Sequence, residues 1–162
     1  MVSWYEAAAF CRWLTERLRA AGEIGPEDKV TLPSETQWEK AARGQDGRLF
    51  PWGGQIDPSR ANYNMSIETT SAVGCFPGGA SPYGVLDLSG NVLEWCATRW
   101  QGSYENYRDE DEPEGTTDRV FRGGAFSGHR MFVRCASRLR SAPDYVYDSV
   151  GFRVMVAPGM HL

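Results

Sequence analysis

Apolar residues near the start of the chain fall three and four positions apart, at Ala7, Cys11, Leu14 and Leu18, with polar and charged residues between them. That spacing places them on one face of a helix. Ser3 and Glu6 stand in the Ser-x-x-Glu arrangement, in which two free backbone N–H groups are satisfied reciprocally. Gly22 supplies a stop, so the pattern predicts a helix over about 4–21. A turn-forming stretch follows, Gly25-Pro26-Glu27-Asp28. Ser34 and Gln37 repeat the capping arrangement after Leu32-Pro33. They predict a second helix, Glu35–Arg43, that turns Trp38, Ala41 and Ala42 inward and closes at Gly44.

Beyond Gly44 the helical period is lost. Turn dipeptides crowd the rest of the chain: Asp46-Gly47, Gly53-Gly54, Gly78-Gly79 and Gly123-Gly124. Short apolar runs lie among them, at 92–96, 119–122 and 151–156, and read as strands set in long loops. Two helices followed by irregular β structure predict an α+β fold, not a doubly wound parallel sheet.

Composition sharpens this picture. At 162 residues the chain has the size of one domain, 1–162. Its 18 glycines require many tight turns, and its six tryptophans suggest a core assembled from large rings. A net charge of −4 argues against nucleic acid as the main partner. No apolar stretch approaches a membrane span, and the first residues lack the features of a signal peptide. The expected compartment is therefore cytoplasmic, with no membrane partner. The four cysteines, Cys11, Cys75, Cys96 and Cys135, form no C-x-x-C pair, so zinc-site spacing is absent. They read as buried free thiols, or as including one bonded pair.

Candidate chemistry is sparse. There is no phosphate-binding loop, no His-Glu-x-x-His and no nucleophile elbow. His129 and His161 are the two histidines, one in a loop and one beside the C-terminus. The acidic run Asp109–Glu114 reads as a solvated loop, with a calcium site as the sharper alternative.

A series of blocks then occurs in a telling order: Val2-Ser3-Trp4-Tyr5-Glu6-Ala7, Leu32-Pro33-Ser34-Glu35-Thr36-Gln37-Trp38-Glu39, Pro51-Trp52-Gly53, Gly84 through Trp95, Arg122-Gly123-Gly124-Ala125-Phe126 and Gly151-Phe152-Arg153. Over about residues 2–156 the chain resembles the formylglycine-generating-enzyme, or sulfatase-modifying-factor, family. The resemblance implies a C-type-lectin-like fold with two helices, a small twisted antiparallel sheet and large loops. Family domains carry a further N-terminal strand, so the strand near 152–156 is expected to seek a partner chain or domain.

Catalytic members place two copper-binding cysteines in the loop after the Arg-Gly-Gly block. Soft thiolates are the natural ligands of Cu(I). Here that loop reads Ser127-Gly128-His129-Arg130-Met131-Phe132-Val133, without cysteine. Cys135 follows in what reads as a strand, where it would pack beneath the loop. The expectation is a non-enzyme that binds no copper; an oxidase is the alternative, and a sensor domain of a larger signalling protein a second one.

Some relatives are variable proteins of diversity-generating retroelements, which use this fold to display altered side chains. That likeness implies a binding face for a protein or small-molecule ligand at Ser127, Gly128, His129, Phe132, Ser137, Leu139, Ser141, Tyr145, Tyr147, Asp148 and Ser149. Each of these residue types is reachable from an Asn codon by adenine-directed mutation. Met131 is not reachable, so it is assigned to the frame. Tyr, Phe, Ser, Gly and His together have the character of a paratope. For Phe132 and one tyrosine the alternative is a place in a minor core. Arg134, Arg138 and Arg153 are read as structural, pairing with carboxylates such as Glu94 or Asp144, with an anion site as the other reading. Finally, the family's Asp/Asn-x-x-Gly-Asn-x-x-Glu calcium motif falls on Asp87, Gly90, Val92 and Glu94, two carboxylates with intervening carbonyls. The alternative pairs Glu94 with an arginine and leaves Asp87 to cap a turn. A second family calcium site would begin at Asn62 and Tyr63, before a shortened loop.

Overall fold

Helix α1, Trp4–Ala20, begins where Ser3 caps it: the Glu6 N–H donates to the Ser3 hydroxyl, and the Ser3 N–H donates to the Glu6 carboxylate at 2.8 Å. Helix α2, Glu35–Arg43, carries the same reciprocal cap between Ser34 and Gln37 and ends at Gly44. Such caps contribute about 1 kcal/mol each. Both helices lie where their sequence patterns place them. The computed structural model describes residues 1–109, 111 and 115–159. His161 and most of the acidic run 109–114 lie outside the described residues.

Among the described residues, six strands follow the apolar runs only in part: β1 Lys29–Thr31, β2 Leu93–Arg99, β3 Arg119–Arg122, β4 Arg138–Ser141, β5 Val150–Phe152 and β6 Met155–Ala157. They form a four-stranded sheet in the order β4-β3-β2-β5 and a separate β1-β6 pair. The expected antiparallel sheet is mixed, because β5 runs parallel to β2. The expected strand at 151–156 is two strands in two sheets. Its break at Arg153-Val154 follows from Arg153, whose side chain turns onto Glu94 of β2. Within this chain the second of these strands has a partner: β6 pairs antiparallel with β1.

The sheet separates two cores. On one face, Leu139, Phe121, Trp95 and Phe152 stand in register across all four strands. Trp95 and Phe121 stack at 3.7 Å, and α1 covers them with Trp4, Ala7 and Cys11. On the other face, α2 packs Trp38 and Ala42 against Leu88, Cys96, Val120 and Cys135. Each buried indole finds an acceptor: Trp4 Nε1 donates to the Cys96 carbonyl, Trp95 Nε1 to Val2 and Trp38 Nε1 to Glu94. Among the described residues, no helix is long and apolar enough to cross a membrane.

The turn Gly90-Asn91 positions the loops above the sheet. Asn91 N–H donates to the Asn62 carbonyl and Gly90 N–H to Gly123; Phe126 N–H in turn donates to the Asn91 carbonyl. Gly90 has φ +77°, and a Cβ there would lie 2.0 Å from the Asn62 oxygen. Gly53 has a similar φ of +73° with nothing near its missing Cβ. Gly53→Ala should therefore cost only the left-handed penalty of about 1–2 kcal/mol. Gly90→Ala should cost at least about 1–3 kcal/mol more, from overpacking. Urea denaturation of both variants measures the difference; equal losses would remove the proposed role of the Gly90 contact.

Candidate functional site

The sequence-predicted face residues fall into two separately anchored groups. The first occupies the loop 125–132. Gly123 and Gly124 are buried, and the chain then turns back on itself, with the Gly128 N–H donating to the Ala125 carbonyl. Met65 N–H donates to Phe126 O at 2.8 Å and Asn64 N–H to Gly128 O at 2.9 Å. Ser127, His129 and Phe132 face solvent on this frame, while Gly128 is half-buried. A Cβ on Gly128 would meet the Ala125 carbonyl at 3.0 Å, so this position holds the turn. The sequence assigns Met131 to the frame, yet its side chain is exposed; its backbone serves the frame, the carbonyl accepting from the Ser137 hydroxyl and Arg134 Nε and the N–H donating to His129 Nδ1.

The second group surrounds β4 and the segment after it. Pro143 O accepts from Trp4 N–H at 2.9 Å and so fixes the loop to the start of α1. Tyr145 lies edge-on to Phe121 with centroids 6.4 Å apart, and Tyr147 stacks beyond it at 6.3 Å. Leu139, Tyr145, Phe132 and Tyr147 remain 40%, 42%, 51% and 55% exposed, which places them outside any core. Asp148 is exposed and Ser141 half-buried. Ser149 is a correction: it is buried, and its carbonyl accepts from Leu93 N–H, so it belongs to the sheet rather than to the face. Ser137, half-buried, spends its hydroxyl on Met131. Sequence reasoning missed Val146, 47% exposed between the two tyrosines; an apolar β-branched residue in a turn-rich segment was the available signal.

The arginines hold the frame. Arg138 Nη2 donates to Glu35 at 2.6 Å, and its guanidinium lies over Trp100 and Tyr104. Its carboxylate partner is thus Glu35. Arg122, wholly buried, bonds Glu39 and the Ser137 carbonyl. Arg153 donates to both Glu94 oxygens, at 2.5 and 2.7 Å, and to the carbonyls of Leu86 and Asp87 at 3.1 Å. Burial works against its charge, but the Glu94 carboxylate outweighs that effect and holds its pKa above the ordinary guanidinium value.

This geometry tests the calcium motif. Glu94 is buried and gives its oxygens to Arg153 and to Trp38 Nε1, at 2.6 Å. Asp87 turns its carboxylate to the Gly74 N–H at 2.7 Å. The two carboxylates expected to share an ion, with Gly90 and Val92 between them, each have another partner, and a guanidinium already supplies the positive charge at Glu94. As placed, these residues do not fit a shared calcium. Asn62 is buried as well, with Nδ2 donating to Thr69 O while its Oδ1 has no hydrogen-bond partner. Among the described residues, no group of three or more His, Cys, Asp or Glu is placed to hold a metal.

The thiols are equally informative. All four cysteines are free, and Cys11, Cys96 and Cys135 are buried. Cys135 lies in a turn, not in the expected strand, with Sγ 3.6 Å from the Ala42 carbonyl. Burial pushes its pKa up to about 11.

Comparison with known proteins matches residues 1–158 to the family described as sulfatase-modifying factor enzyme 1-like domain. The serine/threonine-protein kinase pkn1 of Chlamydia pneumoniae is 35% identical across 94% of this chain and 23% of its own length. The formylglycine-generating enzyme of Mus musculus is 31% identical, covering 94% of this chain and 42% of its own. The inactive C-alpha-formylglycine-generating enzyme 2 of Mus musculus is 32% identical, with coverages of 98% and 48%. The chain thus spans about a quarter to a half of these relatives. Among solved structures, Treponema denticola variable protein 1 superposes with a TM-score of 0.75 at 26% identity, over 94% of this chain and 68% of that one.

Removing one partner of a buried ion pair strands the other, which costs up to about 3–5 kcal/mol. Glu94→Gln should approach the lower figure, because the Arg153 side chain keeps 23% of its surface exposed. Its melting temperature should fall accordingly, while EDTA and added calcium leave that of the wild type unchanged. A calcium-dependent rise in the wild type, lost in Glu94→Gln, would instead place an ion at this corner.

Proposed function

The chain belongs to the sulfatase-modifying factor family, and within it we propose that this chain is a non-catalytic ligand-binding module whose C-terminal loops form the binding face. The family includes enzymes and inactive members. The observation that carries this reading is the loop after Gly124. Residues 127–133 contain no cysteine, and the nearest thiol, Cys135, is buried with its pKa raised to about 11. A Cu(I) centre of the catalytic kind rests on soft thiolate ligands. A single thiol held protonated at neutral pH is a poor substitute.

The face has the composition of a recognition surface. Tyr145 and Tyr147 offer rigid contact area with few rotatable bonds, and Ser127, His129 and Asp148 offer adaptable hydrogen bonding. Their backbone is held by main-chain bonds to Asn64, Met65 and Trp4, so these side chains carry little of the fold's stability. The likeness to a variable protein supports retroelement diversification of these positions, with a protein or small molecule as ligand. A near-copy of the DNA for residues 122–153, with Asn codons at the face positions and a reverse-transcriptase gene beside it, is the genomic result expected.

Two measurements test the reading. A library randomised at Ser127, His129, Phe132, Leu139, Tyr145, Tyr147 and Asp148 should yield mostly soluble, folded protein, since exposed substitutions usually change stability by about 0.5 kcal/mol or less each. A majority of unfolded members would make these side chains structural. Incubation with copper and a sulfatase-type cysteine peptide should give no aldehyde by mass spectrometry; turnover would restore the oxidase.

A further inference from the structure

Between α1 and β1 lies a groove of about 460 Å³, lined by none of the residues of the C-terminal face. That volume falls in the range of small-molecule sites. Its floor is Trp4, Ala8, Cys11, Val30, Leu32 and Ala97. The polar atoms of the floor are already used. Trp4 Nε1 donates to Cys96 O; the Thr15 hydroxyl donates to Cys11 O and accepts from Val30 N–H. Burial raises the Cys11 pKa to about 11, so its thiol is neutral. The floor therefore offers mainly carbon and sulfur and selects an apolar body, with the hydroxyl-bearing Thr31 also lining the groove.

The rim selects charge. Arg12, Arg19 and Lys29 face Glu16 and Asp111 around the opening, three cations against two anions. Arg19 is tethered through Nε to the Asp28 carbonyl. Arg12 and Lys29 are exposed and make no ion pair among the described residues. We propose that this groove binds a small amphipathic anion: an aromatic or branched apolar body in the floor, with one carboxylate or sulfonate at Arg12 and Lys29. The groove shares no lining residue with the C-terminal face.

Naphthalene-1-sulfonate is a suitable probe, with 1-naphthylmethylammonium as its ring-matched cation. In a titration followed by ¹⁵N NMR, the sulfonate should shift the Trp4 indole N–H and the Thr15 and Val30 amides as one group, and the ammonium should bind more weakly. Ala8→Phe fills the floor and should abolish the shifts at an unchanged melting temperature. Arg12→Gln and Lys29→Gln are surface changes that retain the fold; each should weaken binding by about two- to fivefold, the scale of one exposed charge pair. Absence of localised shifts, equal binding of the ammonium, or unaltered affinity in the double Arg12→Gln/Lys29→Gln variant would each overturn the proposal.

Discussion

The structure depends on one buried carboxylate. Glu94 sits in the central strand, accepts from Trp38 of α2 and pairs with Arg153 just after β5. Arg153 reaches on to the carbonyls of Leu86 and Asp87. Three distant stretches of chain thus meet at two side chains. A buried charge is costly unless it is paired and hydrogen-bonded, and here both conditions hold. The same pairing breaks the last strand in two, which sends β6 across to β1.

From Glu94 the sheet divides into two chemistries. Its α2 face continues the charge, through Arg122, Glu35, Glu39 and Arg138. Its α1 face is the apolar row Leu139, Phe121, Trp95 and Phe152, three of them rings. That row does not stop at the sheet edges. Phe10 of α1 lies 5.5 Å from Phe152, and Tyr145 lies against Phe121. The exposed tyrosines thus lie outside the core but continue its line of ring contacts, through the edge of Tyr145 against Phe121.

How much of this was legible follows from the range of the interactions. Both helices were, because Ser3–Glu6 and Ser34–Gln37 act over three residues. The family's motifs carried the fold class. The β1 strand was not legible, since three residues cannot display a period, and neither was β4, whose Arg-Leu-Arg-Ser reads as a charged loop. The parallel pairing of β5 depends on long-range register alone. In the candidate face, the positions followed from the family likeness, and for Phe132 and one tyrosine sequence left burial in a minor core open; their exposure depends on how the loops pack. The burial of Ser149 and the exposure of Met131 were not legible, because both are fixed through the backbone rather than by a side chain.

That distinction explains how one scaffold can hold rigid and changeable positions side by side. At the Glu94 corner the bonds run through side chains, so Glu94, Arg153 and Trp38 cannot vary without leaving a buried charge or indole unpaired. At the face the bonds run through the backbone: Met65 to Phe126, Asn64 to Gly128, Trp4 to Pro143. A main-chain hydrogen bond does not depend on the side chain that its residue carries. Ser127, His129 and Tyr145 can then change while the loop keeps its path. The exceptions are positions where a Cβ would intrude. Gly124, with φ +74° and a Cβ position 2.7 Å from the Phe132 carbonyl, must stay glycine for its neighbours to remain free.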